Sequence, residues 1–203
     1  MNSDIQKLIE ENIDYIEAEN FDVVYDKAMS ANYRINIGEL TDVFYDAGID
    51  PLASLTKIPP LFLDESKITD LVVPNNIKKI RKSGFAFSNV KHVQLHNDCE
   101  LSERCFYVSK IDSIIIPYIM NEIPEECFYG CSWLSEVDLN AVEQIGAEAF
   151  GHCKTLKKLF IPNDIIYIAD TAFYECPVTL LFHSTNEYAL EYCQRNNMEY
   201  KFV

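Results

Sequence analysis

The chain has 203 residues, 48% of them hydrophobic and 24% charged, which suits a soluble protein with a packed core and excludes a disordered one. Its 32 acidic and 17 basic side chains leave a net charge of -15, which argues against nucleic acid or an anionic membrane as a direct partner. The acidity is concentrated in residues 1–63, where 12 acids face 4 bases, and no apolar run approaches the length of a membrane span.

The amino-terminal phrase Met1-Asn2-Ser3-Asp4 lacks a basic segment, and Lys7, Glu10, Glu11 and Asp14 interrupt the run from Ile5 to Ile16, so a cytoplasmic location is expected. Ile5, Leu8, Ile9, Ile13 and Ile16 fall at helical steps and predict an amphipathic helix. Phe21, Val24, Tyr25, Ala28 and Met29 predict a second, and Leu40, Val43, Phe44 and Ala47 a third that Gly48 stops. Asp50-Pro51 has the form of an N-cap and first position of a further short turn. Residues 1–63 are therefore read as a helical module that caps the remainder of the chain.

From residue 64 to 183 the chain repeats itself. Five copies begin at Ile68, Val90, Ile111, Leu134 and Leu156, at steps of 22, 21, 23 and 22 residues. The last copy is the clearest: Leu156, Leu159 and Ile161, then Pro162, Ile165 and Ile168, then Ala172-Phe173 and Cys176. Apolar residues two apart share one face of a short strand, proline ends it, and the small-aromatic pair packs on the far side. One such unit cannot close a core, so the copies must stack with their strands parallel. Residues 184–203 are read as the closing cap. Ser184 and Glu187 have capping-box spacing, Tyr188, Leu190, Tyr192 and Cys193 line a helix, Asn196-Asn197 ends it, and Met198, Tyr200 and Phe202 alternate as a strand would.

The phrases Ile161-Pro162-Asn163-Asp164-Ile165 and Ala172-Phe173-Tyr174-Glu175-Cys176 resemble the BspA-type leucine-rich repeat of bacteria and phages, as does Gln144-Ile145-Gly146-Ala147-Glu148-Ala149-Phe150-Gly151-His152-Cys153. The resemblance covers about residues 68–183. It implies an α/β leucine-rich-repeat solenoid with a parallel sheet, used for binding proteins, and implies no single activity. The shorter phrase Ala47-Gly48-Ile49-Asp50-Pro51-Leu52 is similar to the amino-terminal modules of phage and prophage repeat proteins.

The chain has 7 cysteines. Cys105 and Cys127 share one repeat position, and Cys131, Cys153 and Cys176 another, which predicts stacked core residues rather than disulfides or metal ligands. His92, His96, Cys99 and Cys105 have spacing that could suit zinc, but the register turns His92 outward and both cysteines inward, so they diverge. With no G-x-S-x-G, glycine-rich phosphate loop or H-E-x-x-H, neither an enzyme nor a cofactor is expected.

A solenoid commonly binds through the outward rows of its sheet. One row holds Asp70, His92, Ser113, Glu136 and Lys158; the next holds Val72, Gln94, Ile115, Asp138 and Phe160 and is extended to Phe182. Strand preference alone also places such apolar residues there. The leading expectation is a non-catalytic protein-binding module using Val72, His92, Gln94, Ile115, Glu136, Asp138, Lys158, Phe160 and Phe182. Two other readings stay open: an acidic inhibitor of a nucleic-acid-binding host defence protein, and a surface adhesin.

Overall fold

The computed structural model describes residues 2–30 and 35–203, so Met1 of the amino-terminal phrase lies outside them. Four helices come first: α1 (Ser3–Glu11), α2 (Ile13–Glu17), α3 (Phe21–Ser30) and α4 (Ile37–Asp46). The single helix predicted across Ile5–Ile16 is broken at Asn12. This buried side chain donates to the Leu8 carbonyl at 2.8 Å and accepts from Lys27 Nζ at 2.9 Å. An amide that bonds its own preceding turn competes with the helix ladder, and here it ties the break to α3. The third predicted helix starts earlier than its apolar stripe, at the Asn36 cap, whose side chain accepts from the Glu39 N–H. Gly48, at φ +75°, ends it, and Asp50 caps the short turn Pro51–Ala53 as expected.

The solenoid path is joined ahead of Asp64. Strand β1 (Lys57–Ile58) pairs in parallel with β3 (Lys79–Ile80), and the Phe62 N–H donates to the Gly84 carbonyl, so residues from Lys57 onward already follow the coil. Each coil then contributes a strand to a broad sheet and a two-residue strand to a second face. The broad sheet carries β2 (Asp70–Val72), β4 (His92–Gln94), β6 (Ser113–Ile115) and β8 (Glu136–Asp138), in that order. The second face carries β1, β3 and β5 (Glu100–Leu101), then β7 (Glu122–Ile123), β9 (Gln144–Ile145) and β11 (Tyr167–Ile168). The broad face resumes with β10 (Lys158–Phe160), β12 (Thr179–Phe182) and β13 (Tyr200–Phe202). All strand pairs are parallel, as stacked copies require.

Inside, each repeat position becomes a column. Phe85, Phe106, Phe128, Phe150 and Phe173 stack with ring centroids 5.3–5.7 Å apart, and Tyr192 closes the column at 6.4 Å. Three residues beyond each aromatic runs a polar column that changes from serine to cysteine along the chain: Ser88, Ser109, Cys131, Cys153 and Cys176. Ser88 donates to the Phe85 carbonyl at 2.8 Å; Cys131 and Cys153 donate to the Phe106 and Phe128 carbonyls at 2.9 and 3.1 Å. Serine and cysteine thus do one job, satisfying a buried carbonyl from a small side chain. All seven cysteines are buried free thiols, and burial pushes Cys131 and Cys176 up to about 12.

The helical module is fused to this column rather than appended. Tyr25 packs on Phe62 at 5.4 Å, and its hydroxyl bonds Thr41 at 2.8 Å. One continuous apolar core runs from Ile5 to Cys193. At the other end α5 (Glu187–Arg195) is capped by Asn186, not by Ser184: the Asn186 side chain accepts from the Ala189 N–H and donates to the Pro162 carbonyl at 3.0 Å. Burial of Asn186 against the previous coil decides this, whereas Ser184 lies exposed. The final strand β13 then extends the broad sheet beside β12.

Candidate functional site

The outward rows of the broad sheet form as the repeat register predicts, with one correction. Asp70 pairs with His92, Val72 with Gln94, Ser113 with Glu136, Ile115 with Asp138, and Lys158 with Thr179. Val72, Ile115 and Phe160 are exposed by 65%, 66% and 52%. Phe182, however, is fully buried. Phe160 pairs with Leu181, and Phe182 pairs with Phe202 and packs against Tyr200 at 5.6 Å. The step between these strands is 21 residues rather than 22, and in a strand a one-residue shift moves a side chain to the opposite face. Leu181 takes the outward place.

His92 does face outward, as predicted, and it is already engaged. Its Nδ1 lies 2.7 Å from Asp70 Oδ1 and its Nε2 lies 3.1 Å from Asp112 Oδ2. Hydrogen bonding to Asp70 and the charge of Asp112 hold its pKa above the ordinary histidine range. Cys99 and Cys105 sit in the interior, away from this bridge. Among the described residues no group of histidine, cysteine, aspartate and glutamate is placed to hold a metal.

The sheet is not uniform along its length. Among the described residues, no ladder hydrogen bond joins β8 to β10. Where the ladder opens, the inward Val137 becomes half-buried, whereas its equivalents Ile114 and Leu159 are 4% and 1% exposed. Two open grooves meet at this seam. One, of about 690 Å³, is lined by Gln94, Asn97, Ile115, Glu136, Val137 and Asp138. The other, of about 620 Å³, is lined by Tyr118, Val137, Asp138, Ala141, Phe160 and Pro162. Ile115, Asp138, Phe160, Gln94 and Glu136 are thus brought together, while Val72 lines a smaller groove with Asp70 and His92 at the front. Lys158 is exposed in the outward row of Glu136 and lines neither large groove.

Tyr118 and Val137 belong to the site, although neither stands in the outward rows read from the sequence. Tyr118 follows Pro117 in a loop, at a place where Pro74 and Pro162 are followed by asparagine. An exposed tyrosine in that position was the available signal. Val137 reads as an ordinary inward residue, and only the open seam exposes it.

The acids of the helical module are largely occupied. Asp22 accepts from Thr56 at 2.7 Å, Asp26 pairs with Arg81 at 3.1 Å, Asp42 accepts from Ser66 at 2.6 Å, and Asp46 pairs with Lys67 at 3.0 Å. Each bond joins the helices to the first coils. Asp14, Glu17 and Glu39 face solvent.

No helix among the described residues is long and apolar enough to cross a membrane. No curated protein sequence matches the chain. Solved structures of similar fold include a leucine rich cell surface protein from Faecalibacterium prausnitzii (21% identity, TM-score 0.57, 61% of this chain and 35% of that one). They also include the pneumococcal vaccine antigen PcpA (21% identity, TM-score 0.54, 66% and 37%). A third is a leucine-rich repeat protein from Bacteroides ovatus (21% identity, TM-score 0.53, 74% and 46%). The chain spans between about a third and a half of the length of these proteins, and at this identity the likeness is one of fold. The BspA type leucine rich repeat region matches residues 56–179 in six copies. The early start at Lys57 and the columns of phenylalanine and cysteine are what those copies build, and the chain belongs to the BspA-type leucine-rich repeat family.

Proposed function

We propose that the protein is a non-catalytic binding module whose broad sheet face recognises another protein. The observation that carries this is the exposed apolar cluster of Ile115, Tyr118 and Phe160 around the open seam at Val137. A few apolar anchors in a polar surround are the composition of a specific protein interface. Contribution of these side chains to stability is small, because they point away from the core. The seven free thiols accord with a reducing, intracellular setting.

The test is capture of partners by the intact protein, compared with Ile115→Ser/Phe160→Ser. The double variant should keep the unfolding midpoint and lose the partner. A rival surface is the solvent-facing acid of the helical module, Asp14 and Glu17, which would suit inhibition of a nucleic-acid-binding protein. Binding through it would weaken steeply with salt and vanish on Asp14→Lys/Glu17→Lys, while the sheet-face variant bound normally. That outcome would overturn the sheet-face reading. The adhesin reading draws on the surface protein from Faecalibacterium prausnitzii, a likeness of fold.

A further inference from the structure

The charges on the sheet face are arranged unequally. At the front, Asp70 and Asp112 share His92. At the seam, Glu136 and Asp138 lie two residues apart on β8, so both side chains leave the same face of the strand. Neither forms an ion pair among the described residues; Asp138 accepts only the Asn140 N–H, at 3.0 Å. Among the described residues Lys158, exposed next to Glu136 in the same outward row, forms no ion pair either. Ile115, on the neighbouring strand β6, pairs directly with Asp138, and Phe160 and Tyr118 line the groove on the other side. The result is a carboxylate pair in which Asp138 lies between Ile115 and Phe160 and Glu136 lies beside Ser113, with Val137 as a partly open apolar floor.

Resting on the sheet-face reading above, we propose that this groove takes a polypeptide segment bearing one lysine or arginine between two apolar side chains. The cation would sit at Glu136 and Asp138, and the apolar side chains on Ile115 with Gln94 and on Phe160 with Tyr118. Ile115 on β6 and Phe160 on β10 stand on either side of β8, a span that a short segment covers. Apolar side chains of the segment seated on Ile115 and Phe160 would screen Asp138 from water and so strengthen its pairing with the cation relative to an open surface. The overall charge of -15 adds a long-range pull on a basic segment.

The experiment selects binders from a displayed library of random peptides against the full-length protein. The enriched peptides are then measured on Ile115→Ser/Phe160→Ser, Glu136→Gln/Asp138→Asn and Glu136→Lys/Asp138→Lys, each checked for an unchanged unfolding midpoint. Peptides that need Ile115 and Phe160 should carry a lysine or arginine flanked by apolar residues. Their binding should fall about tenfold or more on charge neutralisation and further on reversal. Face-dependent peptides without a cation, or with unchanged affinity for the Glu136→Lys/Asp138→Lys protein, would overturn the charge assignment and leave the sheet-face reading standing. Enriched peptides that all ignore Ile115 and Phe160 would overturn both.

Discussion

Two glycines show how differently one residue type can matter. At Gly38 a Cβ would lie 2.0 Å from the Asp64 carbonyl oxygen, because α4 is pressed against the first coil there. Gly48 has open space around it and is required only for its φ of +75°. Gly38→Ala should therefore force the helical module off its seat and cost about 1–3 kcal/mol, as overpacking does. Gly48→Ala should cost about 1 kcal/mol, from the left-handed backbone alone. Chemical denaturation of both variants measures the difference; equal losses would show that α4 is not tightly seated. His92 offers a second residue-scale test. With both nitrogens facing carboxylates, its folded-state pKa lies above the unfolded value of about 6.5. The protonated bridge thus contributes stability at pH below about 6.5, and that contribution is lost as pH rises through the folded value. An NMR titration should place His92 above the free imidazole, and Asp70→Asn should bring it down. A titration at or below the free value in the native protein would remove the bridge.

At the scale of elements, the repeat pattern places strands well and element ends less well. The Ser184 and Glu187 spacing is a genuine capping signal, yet Asn186 holds the position because only its amide reaches both the Ala189 N–H and the Pro162 carbonyl. Asn186→Ala should destabilise the protein by about 1–2 kcal/mol, since a cap and a buried partner are lost together. Ser184→Ala should change thermal unfolding little. Reversed magnitudes would restore the capping box read from the sequence. The break at Asn12 has the same cause: an apolar stripe runs straight through it, but a buried amide reaching Lys27 on another helix ends α1. Periodicity reports which face is apolar, and it does not report where a side chain finds a better partner than the helix ladder.

For the whole molecule, the important question is whether the helical module and the solenoid fold as one body. Tyr25 on Phe62, the Asp26–Arg81 pair and the close approach at Gly38 all cross between them. Removing residues 1–63 also strips β1 from β3, leaving an open strand edge and an uncovered aromatic column. Such a truncated protein should aggregate or unfold at a clearly lower temperature. A monomeric fragment of unchanged midpoint would mean that the solenoid needs no cap at that end.

The sequence by itself determined the stacked coils, their parallel strands, the buried cysteine and phenylalanine columns, and which side chains of the middle strands point outward. It could do so because those features recur at one spacing, and a residue's place in a coil follows from its place in the repeat. Tertiary structure decided whatever depends on the relation between coils. The shortened step at Pro177, where Val178 follows Cys176 by two residues while Leu156 follows Cys153 by three, turned Phe182 inward and Leu181 outward. The opened ladder between β8 and β10 exposed Val137, and the loop after β6 carried Tyr118 to the groove beside Phe160. Acids of the helical module, among them Asp22 and Asp42, were drawn into bonds with Thr56 and Ser66. Each of these is set by the geometry between neighbouring coils, where a shift of one residue or a few ångströms reverses the outcome.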